Sequence, residues 1–94
     1  MTKQTVKFDP LDFFETKEDI TDLLQDAFNS QDPKYIARAI GIAAKTKGMA
    51  NIASQNNLNR EQLYRSFSEK GNPTLSTIVA VLSSLGYKLN IKPL

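Results

Sequence analysis

Apolar side chains return every third or fourth residue through most of this chain, and the interruptions fall on residues that cap or stop helices. Ile20, Leu23, Leu24, Ala27 and Phe28 are spaced i, i+3, i+4, i+7 and i+8. That stripe predicts an amphipathic helix opened by Thr16 as N-cap, with Asp19 at N3 and acids in the first turn, where the helix dipole favours them. A second helix begins at Asp32-Pro33, because proline at N1 gives up an N–H that has no intrahelical partner there anyway. Its inner face is Ile36, Ala39, Ile40 and Ala43. Gly41 inside it costs about 1 kcal/mol relative to alanine, a cost that close packing against another helix would justify. Gly48 reads as the stop, with Lys45 and Lys47 complementing the dipole before it.

The next two segments are short. A helix is predicted over residues 49–55, then a turn, then a helix capped by Asn59 and ended at Gly71. Thr74 caps the last helix, in which Leu75, Ile78, Val79, Leu82 and Leu85 recur at helical period, and Gly86 stops it. Residues 87–92 then alternate, with Tyr87, Leu89 and Ile91 on one side and Lys88, Asn90 and Lys92 on the other. This predicts a short C-terminal β-strand closed by Pro93. At the other end, "TVKF" (5–8) alternates weakly, and "DPLDFFET" crosses a turn. The expectation is one mainly α domain over residues 1–94: an N-terminal arm (1–15), a bundle of five helices, and the strand.

Composition narrows the chemistry. The chain has 94 residues, 40% of them hydrophobic, enough for one domain with a modest core. It has no cysteine and no histidine, so neither thiol chemistry nor the commonest general base and metal ligand is available. Ser54, Ser66 and Ser68 therefore lack a histidine to activate them. The acids Asp9, Asp12, Glu15, Glu18, Asp19 and Asp22 are of the type that hard cations bind, but no Gly-bearing loop of EF-hand spacing surrounds them. No catalysis, metal or cofactor is expected. No apolar run approaches the ~20 residues that cross a bilayer, and the start has no signal-peptide apolar region. A cytoplasmic protein without a membrane partner is expected.

The net charge of +2 conceals an asymmetry. Up to Asp32 the chain carries three lysines against eight acids, 3 − 8 = −5; from Pro33 onward it carries nine cations against two acids, 9 − 2 = +7. A basic body suits an anionic partner, and an acidic arm a basic one.

Within the basic part, residues 49–69 match the helix-turn-helix pattern. Ala53 is small where two helices cross, Leu58 plugs the turn, and Leu63 with Phe67 anchors the second helix. Asn59 caps that helix, with Gln62 completing a capping-box arrangement. The turn position that is usually glycine, four residues after the alanine, is Asn57, the best non-glycine substitute in a left-handed conformation. The residues left to face DNA are Ser54, Gln55, Asn59, Arg60, Glu61, Gln62, Tyr64, Arg65, Ser66 and Lys70. Among them, Arg60, Glu61, Gln62, Arg65 and Ser66 are able to bond base edges or phosphates from a helix tip in the major groove. One recognition helix covers only a few base pairs, so a two-fold dimer is expected, with Tyr87, Leu89 and Ile91 of the edge strand at or near its interface. Val6–Phe8 of the same chain is the rival partner for that strand.

The run "GMANIASQNNLNREQLYRSFSEKGNPTLSTIVAVLSSLGYKLNI" resembles the Cro/λ-repressor class of helix-turn-helix domains. More narrowly, "LYRSFSEKGNPTLSTI", "LGYKLNI" and the upstream "FDPLDFFETKEDITDLLQDAF" resemble the addiction-module antidotes, HigA-like antitoxins. The resemblance covers nearly the whole chain. It implies the antitoxin of a bacterial toxin–antitoxin pair, which binds a small basic RelE-like ribonuclease and represses their shared promoter. The partners implied are double-stranded operator DNA and that toxin, in a homodimer or a dimer of toxin–antitoxin pairs. On this reading Phe8, Leu11, Phe13 and Phe14 in the acidic arm are the toxin-binding candidates, although the same residues can instead cover the core. The alternative is a helical protein-interaction module that does not bind DNA, a reading that Glu61 favours because a carboxylate repels phosphate.

Overall fold

The computed structural model describes residues 16–94, and among these the chain forms five helices and no strand. Helix α1 spans Lys17–Ser30; Thr16 Oγ1 accepts from the N–H of Asp19 at 3.1 Å and closes its first turn. Helix α2 spans Pro33–Lys47, with Asp32 Oδ1 accepting from Lys34 N at 3.0 Å and Pro33 in the first turn. Between them, Gln31 takes the left-handed conformation (φ 60°). Gly48 (φ 104°) ends α2 with its N–H bonded to Ala44 O, and α3 (Met49–Gln55) starts immediately. Helix α4 spans Arg60–Ser66 and α5 spans Leu75–Ser84.

The helices pack α1 on α2, α2 on α3, α3 on α4, and α5 on both α2 and α3. Ile20, Leu24 and Ala27 of α1 meet Ala39, Ile40, Ala43 and Ala44 of α2 in one core with Ile52, Leu63, Phe67, Val81 and Leu82. Leu23, Phe28 and Ile36, also expected on inner faces, are half-buried at its margin. Gly41 has a clear packing reason: a Cβ there would lie 3.1 Å from Phe67 Cβ, so α2 and the end of α4 approach closely.

Three expectations are revised. Helix α4 stops at Ser66 rather than running to Gly71. Ser68 takes the Arg65 carbonyl with both its N–H (3.2 Å) and its hydroxyl (2.7 Å), and Gly71 N then bonds Ser68 O at 2.9 Å, so the chain folds back instead of continuing. Gly71 permits this fold-back, since a Cβ on it would fall 2.1 Å from Arg65 O.

Helix α5 is rotated relative to its apolar period. Val81 and Leu82 are buried and Ile78 and Leu85 half-buried, while Leu75 and Val79 are exposed. Apolar residues occur all round this helix, so spacing alone admits two faces.

Residues 87–92 form no strand, because a strand needs a ladder and none reaches this tail among the described residues. Leu89 and Ile91 are exposed. Tyr87 is instead half-buried against α1: its hydroxyl lies 2.7 Å from Thr21 Oγ1, and Lys17 Nζ sits 4.8 Å over its ring while also donating to Leu85 O at 3.3 Å. The arm over residues 1–15, and with it Phe8, Leu11, Phe13 and Phe14, lies outside the described residues.

Candidate nucleic-acid interface

Helices α3 and α4 are seven residues each, joined by Asn56, Asn57, Leu58 and Asn59. Asn56 closes α3 and ties it elsewhere: its Nδ2 donates to Ile52 O at 2.9 Å and to Ser84 Oγ of α5 at 2.7 Å. Asn57 has φ 58°, the left-handed conformation that reverses the chain, and Asn is among the few residues with a Cβ that visit it routinely. Leu58 is half-buried on the core and its N–H returns to Ala53 O at 2.8 Å. Ala53 is 4% exposed at the crossing. Asn59 Oδ1 then caps α4 through Gln62 N at 3.0 Å, the forward half of the expected capping box.

This local chemistry decides what α4 shows to solvent. Leu63 and Phe67 point into the core, so Arg60, Glu61, Gln62, Tyr64 and Arg65 are exposed. At about 100° per residue, Arg60, Tyr64, Glu61 and Arg65 form one stripe opposite Leu63, and Gln62 lies at its far edge. Ser54, Gln55 and Asn59 are exposed nearby in sequence, Lys70 is exposed beyond the end of α4, and Ser66 is half-buried. The two arginines, an exposed tyrosine and several amide and hydroxyl groups form a surface able to donate to phosphates and base edges. Glu61 is the only acid on α4 and can only accept.

The remaining surface is divided. Between residues 16 and 32, Lys17 stands against Glu18, Asp19, Asp22, Asp26 and Asp32. Asp26 is not free: it accepts the Tyr35 hydroxyl, and this bond first, then partial desolvation and the carboxylate's charge, hold the phenol's pKa above its usual 10.0.

Sequence reasoning missed an open cleft of about 610 Å³ between the start of α2 and residues 67–73. Asp32 and Glu69 balance Lys34 and Arg38 there, so the cleft offers no net field for an anion. No sequence signal marked it, since its walls come from segments about 30 residues apart. Among the described residues no helix is long and apolar enough to cross a membrane, and no cluster of three or more acids could hold a metal ion.

Residues 4–93 match the model of a family described as "probable addiction module antidote protein". An uncharacterized protein of Haemophilus influenzae is 29% identical over 92 residues, covering 98% of this chain and 95% of that protein. No solved structure matches the chain.

Proposed function

The chain belongs to the family of addiction module antidotes, and on that premise we propose that it is a DNA-binding antitoxin of a type II toxin–antitoxin module. An antidote implies a toxin partner and a regulatory, non-enzymatic role. The toxin proposed is a small basic RelE-like ribonuclease, and the operator is the promoter of their shared operon. The protein acts in the cytoplasm as a homodimer or a dimer of toxin–antitoxin pairs. Helices α3 and α4 act as a helix-turn-helix of the Cro/λ-repressor class, with the residues around Arg60, Tyr64 and Arg65 facing DNA. Phe8, Leu11, Phe13 and Phe14 anchor the toxin, while the tail around Tyr87, Leu89 and Ile91 lies at or near the dimer interface.

The observation that carries the DNA reading is the left-handed Asn57 followed by a capped helix that buries Leu63 and exposes Arg60 and Arg65. A purely structural hairpin needs the buried residue but not the exposed arginines. The charge segregation supports the double role: a basic body suits DNA, and the acidic N-terminal third suits a basic enzyme, steering its encounter while apolar contacts hold it.

Operator titration at several salt concentrations tests this. Arg60→Ala or Arg65→Ala costs roughly 1–3 kcal/mol where the lost contact is to guanine. A lost phosphate contact instead weakens all sequences alike and flattens the salt dependence. Unchanged affinity in the folded double variant would refute DNA binding through α4 and leave the second reading, an interaction module that Glu61 favours. For the toxin, a chain lacking residues 1–14 folds and binds DNA but no longer neutralises the toxin. Persistent neutralisation moves the contact elsewhere, and loss of folding assigns those phenylalanines to the core.

A further inference from the structure

Two of the large apolar side chains left exposed, Leu75 (69%) and Val79 (48%), lie one turn apart on α5. With Ser76 and Ser83, also exposed, they form a single outward stripe, because positions 75, 76, 79 and 83 fall within about 100° around the helix. No residue of α5 is charged, whereas α1, α2 and α4 all expose charged side chains. The outer residues of α3 are small or polar. The opposite side of α5 carries Val81 and Leu82 into the core, so the stripe has no partner within the described chain.

We propose that this stripe is a self-association surface on which two copies of the chain pack α5 against α5 about a two-fold axis. Charge selects the occupant. DNA needs cations to replace its counterions, and α5 offers none. A strongly charged protein partner gains no steering from a neutral face. A two-fold contact, in contrast, places each residue close to its own copy, so a charge near the axis meets a like charge. With +7 accumulated from Pro33 onward, a neutral apolar face is the place where this body can meet itself.

The order of side chains fixes the direction. Along the stripe, Leu75, Val79 and Ser83 run from large to small. In an antiparallel pair, Val79 at mid-helix faces its own copy and Leu75 fits against Ser83 of the second copy. Large then meets small at both ends and the helices stay evenly spaced. A parallel pair would crowd leucines at one end and leave a gap between serines at the other. This contact is independent of DNA and toxin binding, and it is distinct from the tail around Tyr87.

The test is sedimentation equilibrium of the full chain, without DNA or toxin, over a range of concentrations. The wild type dimerises. Val79→Asp and Val79→Lys, each placing like charges at the axis, weaken self-association at least about tenfold. An equimolar mixture of the two recovers wild-type association, because Asp then faces Lys. Circular dichroism shows both variants folded, as expected for a half-exposed position. A monomeric wild type, unaffected variants (the outcome if the tail alone holds the dimer), or a mixture no better than its components overturns the proposal. Failure of the wild type to bind its operator would bear only on the DNA reading.

Discussion

Replacing Asn57 isolates the backbone contribution to the α3–α4 turn. The residue is exposed and has φ 58°, so little packing changes when its side chain is altered. A residue with a Cβ pays roughly 1–2 kcal/mol in the left-handed region, and asparagine pays less because its short amide bonds locally. Asn57→Ala therefore destabilises the domain by about 1 kcal/mol. Asn57→Gly removes the Cβ strain but adds about 0.5–1 kcal/mol of unfolded-state entropy, leaving stability within a few tenths of the wild type. For a domain of this size 1 kcal/mol moves Tm by about 4–8 °C, so thermal melts followed by circular dichroism resolve alanine from glycine. Urea titration gives the same order with an unchanged m-value, since the surface exposed on unfolding is the same. Alanine as stable as asparagine, or glycine worse than alanine, would refute the assignment of strain to this turn.

Two further outcomes rest on single contacts. Gly41→Ala gains helix propensity but drives a Cβ to 3.1 Å from that of buried Phe67, which cannot swing away; a net loss of about 1 kcal/mol in urea denaturation is expected. Tyr35 donates to Asp26 only while protonated, and its pKa is raised, so the bond's contribution to stability is complete below pH 10.0 and is lost as pH rises through the raised value. Ultraviolet titration should find Tyr35 ionising later than a free phenol, and Asp26→Ala should move it back toward 10.0.

Much of this architecture is legible in the sequence because its signals are local. Thr16, Asp32, Asn59 and Thr74 each cap the helix they were expected to cap, since a side-chain oxygen needs only the N–H two or three residues ahead. Asn57 in the left-handed conformation is likewise a property of one residue and its turn. What escaped depends on distant parts of the chain. Helix α4 ends early because Gly71 folds back on the carbonyls of residues 65 and 66. Which side of α5 is buried depends on where α2 and α3 lie, and its apolar residues surround the helix too evenly for periodicity to decide. An edge strand needs a second edge, which no single-chain pattern supplies.

The two candidate surfaces are mechanically linked. A seven-residue helix such as α4 is not stable alone in water, so its position is set by whatever holds its ends. At its start, Asn56 joins the turn to Ser84 of α5; at its end, Phe67 lies against Gly41 of α2. The far end of α5 is held in turn by Lys17 on the Leu85 carbonyl and by Tyr87 on Thr21 of α1. Ile52, Leu63 and Val81 put α3, α4 and α5 into one close-packed core, which transmits position rather than absorbing it. In the proposed dimer, a contact through the outer stripe of α5 would therefore fix the separation and relative rotation of the two α4 helices. Half-site spacing on the operator would follow from α5 packing, not from a flexible connection, and a change in that packing would alter DNA recognition without touching a DNA-facing side chain.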